Sequence, residues 1–121
     1  MIGIGLDTVD IARFREVLAR RPRLIERLFT DREREECALR VDPVPGLAAR
    51  FAAKEATMKA LGVGLGAFLL RDVEVVRGSS GAPSLTTSGR AAVLVETAGI
   101  GRLDVSLTHS GLVASAIVVA T

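Results

Sequence analysis

The stretch Arg50-Phe51-Ala52-Ala53-Lys54-Glu55-Ala56-Thr57-Met58-Lys59-Ala60-Leu61-Gly62-Val63-Gly64-Leu65-Gly66 decides how this chain folds. From Leu47 to Leu61, apolar side chains (Leu47, Ala48, Ala49, Phe51, Ala52, Ala53, Ala56, Met58, Ala60, Leu61) fall on nearly every side of a helix, the pattern of a helix packed over most of its surface. Gly62, Gly64 and Gly66 then end it with a backbone free to approach a ligand closely. The same stretch holds Lys54 and Lys59, the only lysines among 16 basic residues. A compact, rotatable ammonium is used here where arginine serves elsewhere. Charges on so enclosed a helix need partners, so Glu55 and Lys59 are expected to be paired, metal-bound or facing a ligand.

Outward from this helix the chain divides into short elements. Upstream, Pro43, Pro45 and Gly46 make a break, and Thr30 or Asp31 opens a charged helix to about Leu39 in which Thr30 and Glu33 fit a capping box. Asp10 can cap a first helix with Ile11, Phe14, Val17 and Leu18 on one face and Pro22 at its end, followed by a short helix through Leu24, Ile25 and Leu28. Met1 to Leu6 reads as a strand delivering Asp7 at its end, and its alternating Gly3 and Gly5 predict close approach of another backbone. Downstream come a strand with Leu69, Leu70, Val73, Val75 and Val76, and a hairpin loop from Gly78 to Pro83 leading to a short strand at Ser84 and Leu85. A helix capped by Thr87 or Ser88 follows, through Ala98, and the chain closes with strands Leu103 to Thr108 and Leu112 to Val119 around a turn at His109, Ser110 and Gly111. Helices and antiparallel hairpins in this order predict an α+β fold, an antiparallel sheet packed around the long buried helix, in one domain spanning 1–121.

Composition excludes several classes. With 49% hydrophobic and 25% charged residues, a chain of 121 residues suits an ordinary globular core. The single cysteine, Cys37, cannot form an internal disulfide and reads as an incidental reduced thiol, which together with the lack of a signal-peptide pattern points to the cytoplasm. No membrane span is expected, because Ser106, Thr108, His109, Ser110 and Gly111 interrupt the apolar C-terminal stretch and a span needs about 20 predominantly apolar residues. The net charge is only +2, yet Arg13, Arg20, Arg21, Arg23 and Arg27 cluster near the N-terminus. This basic stripe reads either as a solvated helix face or as a docking surface for an acidic partner. A nucleic-acid-binding module would also use such a stripe, but with no Tyr or Trp and only four Phe there is little stacking surface for bases.

Asp7 and Glu55 could jointly hold a hard cation, since Mg²⁺ is commonly bound by one or two carboxylates, waters and phosphate oxygens. The plainer alternatives are capping for Asp7 and a simple four-residue helix pair for Glu55 and Lys59. The glycines follow a helix rather than a strand, so neither the dinucleotide fingerprint nor a Walker loop is present. His109, the only histidine, is either a structural turn residue or, flanked by hydroxyls, a phosphate or proton-handling group.

Three segments taken together, Gly3-Ile4-Gly5-Leu6-Asp7, Arg50 to Ala56 with Lys59 to Gly62, and Val105-Ser106-Leu107-Thr108-His109-Ser110, resemble the holo-acyl-carrier-protein synthases, the short-chain family of 4′-phosphopantetheinyl transferases. The resemblance covers essentially the whole chain. It implies transfer of phosphopantetheine from coenzyme A to a serine of apo-acyl carrier protein, releasing adenosine 3′,5′-bisphosphate. It further implies Mg²⁺ held by Asp7 and Glu55, with Lys59 neutralising phosphate charge and Asp7, Glu55 and Lys59 carrying the chemistry. Arg50, Lys54, Lys59, Gly62, Gly64, Gly66, Thr108 and His109 are placed around coenzyme A by the same resemblance, and Arg13, Arg20, Arg23 and Arg27 against the carrier. A homotrimer with active sites between subunits is implied as well. No role for nucleic acid or membrane is expected.

Overall fold

The computed structural model describes residues 2–121; Met1, read above as part of the first strand, lies outside the described residues. In chain order the elements are β1 (Gly3–Asp10), α1 (Ile11–Arg20), α2 (Leu24–Leu28), α3 (Asp31–Ala38), α4 (Val44–Leu61), a 3₁₀ turn (Leu70–Asp72), β2 (Val73–Arg77), β3 (Pro83–Thr87), α5 (Gly89–Thr97), β4 (Leu103–His109) and β5 (Val113–Ala120). The fold is α+β. One antiparallel sheet has the order β1-β5-β4, and β2 and β3 form a separate antiparallel hairpin.

β1 lies directly on the backbone of α4, as its glycines predict. A Cβ added to Gly5 would sit 1.9 Å from the Ala56 carbonyl oxygen, and one added to Gly3 equally close to that of Ala60. Only glycine on the strand permits this contact with the helix backbone. Ala52, Ala53, Ala56 and Ala60 continue it into a core cluster with Val75, Ala116 and Val118. Toward the N-terminal end of α4, Leu47, Ala48 and Ala49 pack with Phe14, Leu18, Phe29 and Cys37. The Phe14 ring meets Phe29 edge-on at 6.4 Å and Phe51 at 5.2 Å, concentrating most of the scarce aromatic surface at one place. Cys37 is 1% exposed, a core residue rather than an incidental thiol in a charged run.

Local signals account for the helix ends. The Asp10 carboxylate accepts from the Arg13 N–H, and Thr30 and Glu33 form the full reciprocal capping box. α4 begins at Val44, earlier than Leu47, because Pro45 is harmless in a first turn whose N–H groups have no helical partners. Gly62 closes it in the left-handed conformation at φ +69°. Two strand expectations shift. β1 runs on to Asp10, so Asp7 is a mid-strand residue paired with Ala116 instead of a strand end. Leu69 and Leu70 fall outside β2, in a turn tightened by the Asp72 carboxylate accepting from the Leu69 N–H. No described helix is long and apolar enough to cross a membrane.

Candidate active site

The strand period of two puts Gly3, Gly5 and Asp7 on the same side of β1. Since the glycines rest on α4, Asp7 is carried to the helix as well. There it meets Lys59, whose Nζ donates to Asp7 Oδ1 at 3.2 Å and to the Leu6 carbonyl at 2.8 Å. Glu55 lies one helical turn before Lys59 on the same face. Asp7 and Glu55 both line a cleft of about 700 Å³ whose walls include Arg13, Phe14, Leu24, Phe51, Leu65 and Leu70.

Electrostatics mark this as a place short of positive charge. Burial and, next, the neighbouring Asp7 push the Glu55 carboxyl above the ordinary glutamate range, and Lys59 opposes them only in part. The Lys59 ammonium is half exposed and has two acceptors for three protons, leaving one donor for a bound group. Two carboxylates beside a lysine fit a hard divalent ion that draws its remaining ligands from water and phosphate oxygens. Among the described residues no third His, Cys, Asp or Glu joins them.

The structure therefore brings Asp7, Glu55 and Lys59 together, but it separates others from them. Lys54 is fully buried, and its three protons go to Glu33 Oε1 at 2.7 Å, the Leu70 carbonyl at 3.0 Å and the Val73 carbonyl. With its three protons taken and its side chain buried, Lys54 lies outside the lining of the cleft that holds Asp7 and Glu55. Arg50 is likewise turned inward, 3% exposed, donating to Glu36 Oε2 at 2.9 Å and to the Gly46 carbonyl at 3.3 Å between α3 and α4. It does not reach the cleft of its own chain. Thr108 and His109 stand exposed on β4, which β5 separates from β1, and they line no part of this cleft. Gly62 and Gly66 adopt positive φ, and a Cβ at Gly62, Gly64 or Gly66 would meet nothing within 4 Å, so this loop is open rather than wedged. Arg13 borders the cleft, Arg23 and Arg27 line a separate depression with Arg21 and Pro22, and Arg20 is exposed at the end of α1.

Glu33 is the residue that sequence reasoning undervalued. Its buried carboxylate caps its own helix at the Thr30 N–H, pairs with Lys54 and accepts from the Val75 N–H at 3.0 Å, joining α3, α4 and β2. One helical signal was available. Lys54 is one residue from Glu55, about 100° around the helix, on the face of Arg50 and Thr57 rather than that of Phe51 and Lys59.

An α+β chain with two carboxylates in a cleft and a lysine beside them has the parts of a phosphate-handling site. Residues 3–109 match the 4′-phosphopantetheinyl transferase superfamily, and the chain belongs to it. Its relatives include holo-[acyl-carrier-protein] synthases of Syntrophotalea carbinolica, 48% identical over 97% of this chain and 93% of the relative, and of Moorella thermoacetica, 43% identical over 97% and 91%. Among solved structures, the holo-[acyl-carrier-protein] synthase of Neisseria meningitidis superposes with a TM-score of 0.91 at 33% identity, covering 100% of this chain and 99% of that one. The Helicobacter pylori enzyme in complex with coenzyme A gives 0.86 at 32% identity, over 98% and 99%.

Proposed function

We propose that this chain, acting as one domain, transfers the 4′-phosphopantetheine group of coenzyme A to a serine of an apo-acyl carrier protein. The observation that carries the reading is that Asp7 and Glu55 line one cleft, with Lys59 donating to Asp7 beside it, in a member of this superfamily. In the reaction the serine oxygen bonds to the β-phosphorus of coenzyme A and the bond from that phosphorus to the bridging oxygen breaks. Adenosine 3′,5′-bisphosphate leaves with the electron pair. A carboxylate oxygen of Glu55 takes the serine proton, and Lys59 offers its free donor to the departing phosphate oxygen. Mg²⁺ held by Asp7 and Glu55 would supply charge neutralisation across the pyrophosphate.

Around this centre, the loop of Gly62, Gly64 and Gly66 leaves room for coenzyme A. Arg13, Arg20, Arg23 and Arg27 present the basic face suited to an acidic carrier. We assign Thr108 and His109 to the site of a neighbouring subunit in a homotrimer. An open sheet face bearing Ile4, Leu6 and Ile117, respectively 51%, 60% and 37% exposed, favours such an assembly. The buried, unpaired Cys37 suits the reducing cytoplasm.

The test is direct. Incubation with coenzyme A, Mg²⁺ and several apo-carrier proteins adds the mass of phosphopantetheine to a carrier. Absence of that addition with every carrier would remove the reading.

A further inference from the structure

Of the chain's two lysines, Lys59 donates to Asp7 at the edge of the cleft, and the buried one is connected to the cleft wall. The Lys54 ammonium binds three elements that are distant in sequence: the Glu33 carboxylate of α3, the Leu70 carbonyl of the 3₁₀ turn and the Val73 carbonyl at the start of β2. It also sits 5.6 Å from the centroid of the Phe29 ring, itself fully buried. Glu33 completes the clamp from the other side by accepting from the Val75 N–H. Both ends of the turn that presents Leu70 are thus fastened to α4 and α3, while the Leu70 side chain forms part of the cleft wall with Leu65, Leu24 and Phe51. Between α4 and this turn, residues 62–69 contain three glycines, and Gly62 and Gly66 have positive φ. Phe68 packs into the core beside Met58 and Val73, but the glycines before it leave the approach to the turn free to shift, so the carbonyls of Leu70 and Val73 are fixed by Lys54.

We propose that Lys54 is a positioning residue for the reaction: its ammonium, charged against Glu33, fixes the turn at Leu70 so that Leu65 and Leu70 close the cleft over the ligand. A lysine suits this post because its tetrahedral donors reach three acceptors from three directions, where a planar guanidinium would not. The proposal rests on coenzyme A being the ligand of the cleft. Its own content is that loosening an interior ion pair is felt as ligand affinity and as motion of one segment.

The experiment uses the full chain with the double substitution Lys54→Met and Glu33→Gln, which removes both buried charges together and so avoids stranding one of them. Coenzyme A binding is measured by calorimetry, transfer by carrier mass, and amide hydrogen exchange residue by residue. The expected result is a cooperatively folding protein whose Kd and KM for coenzyme A rise at least about tenfold, while kcat falls by less than about threefold. Exchange at residues 63–75 accelerates relative to α1 and α5. A folded double variant with wild-type affinity, or with exchange raised no more in this segment than elsewhere, would overturn the proposal. Leu70→Ala is the companion, because it removes the side chain the clamp holds while keeping the carbonyl that Lys54 binds. It too must weaken coenzyme A binding; unchanged affinity in that variant refutes the proposal even if the double variant does not fold. Should the wild type itself fail to bind coenzyme A, the functional reading falls, and the exchange comparison still decides whether Lys54 holds the turn.

Discussion

Glu55→Gln is expected to cost almost all activity and yet make the protein more stable. The carboxyl is raised above its ordinary value by burial first and by Asp7 second, with Lys59 pulling the other way. Linkage fixes the sign: a carboxyl whose folded proton affinity exceeds its unfolded one favours the fold when protonated, and its ionisation takes that contribution away. The cost is absent below the unfolded value and complete above the folded one. Because Glu55 is only half-buried and water screens it, the cost at neutral pH is about 0.5–1 kcal/mol. Removing the charge then raises Tm by roughly 2–6 °C. Thermal unfolding followed at about pH 8 and about pH 4 reads this, the advantage of the Gln variant being present at the first and gone at the second. Mg²⁺ supplies a second axis. At ten times its Kd it stabilises the wild type by about 1.4 kcal/mol and leaves the Gln variant unmoved. A Gln variant less stable than wild type at about pH 8, or equally favoured at both pH values, would refute the electrostatic account of the cleft.

Other outcomes follow from the same structure. Gly5→Ala places a methyl 1.9 Å from a backbone oxygen that no rotamer change can move aside, so the urea midpoint should fall by an amount equivalent to about 3 kcal/mol or more; an unchanged midpoint would mean the strand does not rest on the helix. Reversing Arg20 and Arg23 to Glu should raise KM for the carrier at least about tenfold at low salt and leave KM for coenzyme A as it was; equal losses of both would deny a separate docking face. Burial pushes the Cys37 thiol up and encloses it, so iodoacetamide should label it only as fast as the chain opens; rapid labelling of the native protein would contradict the packing.

What the sequence made legible was mostly what is local or strictly periodic. The Gly3 and Gly5 alternation announced a backbone contact, the Thr30 and Glu33 spacing announced a capping box, and both are present. The family resemblance groups Asp7, Glu55 and Lys59, and the structure supplies the physical reason, since the glycines that bring β1 to α4 share a strand face with Asp7. The partnership of Glu33 with Lys54 was not legible in this way, since 21 residues separate them and neither the cap nor the helix pattern points at the other. The family resemblance places Lys54 around coenzyme A, whereas one residue from Glu55 along the helix is about 100° around it, on the side where Glu33 lies. The positions of Thr108 and His109 relative to the cleft depend on strand order, in which β5 comes between β4 and β1, and strand order leaves no mark in local composition.

The glycine seam also limits how the acidic centre can change over evolutionary time. Where two main chains touch with nothing between them, their spacing is set by carbonyl and methylene radii, and exchanging interior side chains elsewhere cannot change it. A descendant suited to a larger ion would have to lengthen or shorten the reach of a carboxylate arm, as an exchange of Asp7 for Glu would, while Gly5 and Ala56 stayed as they are.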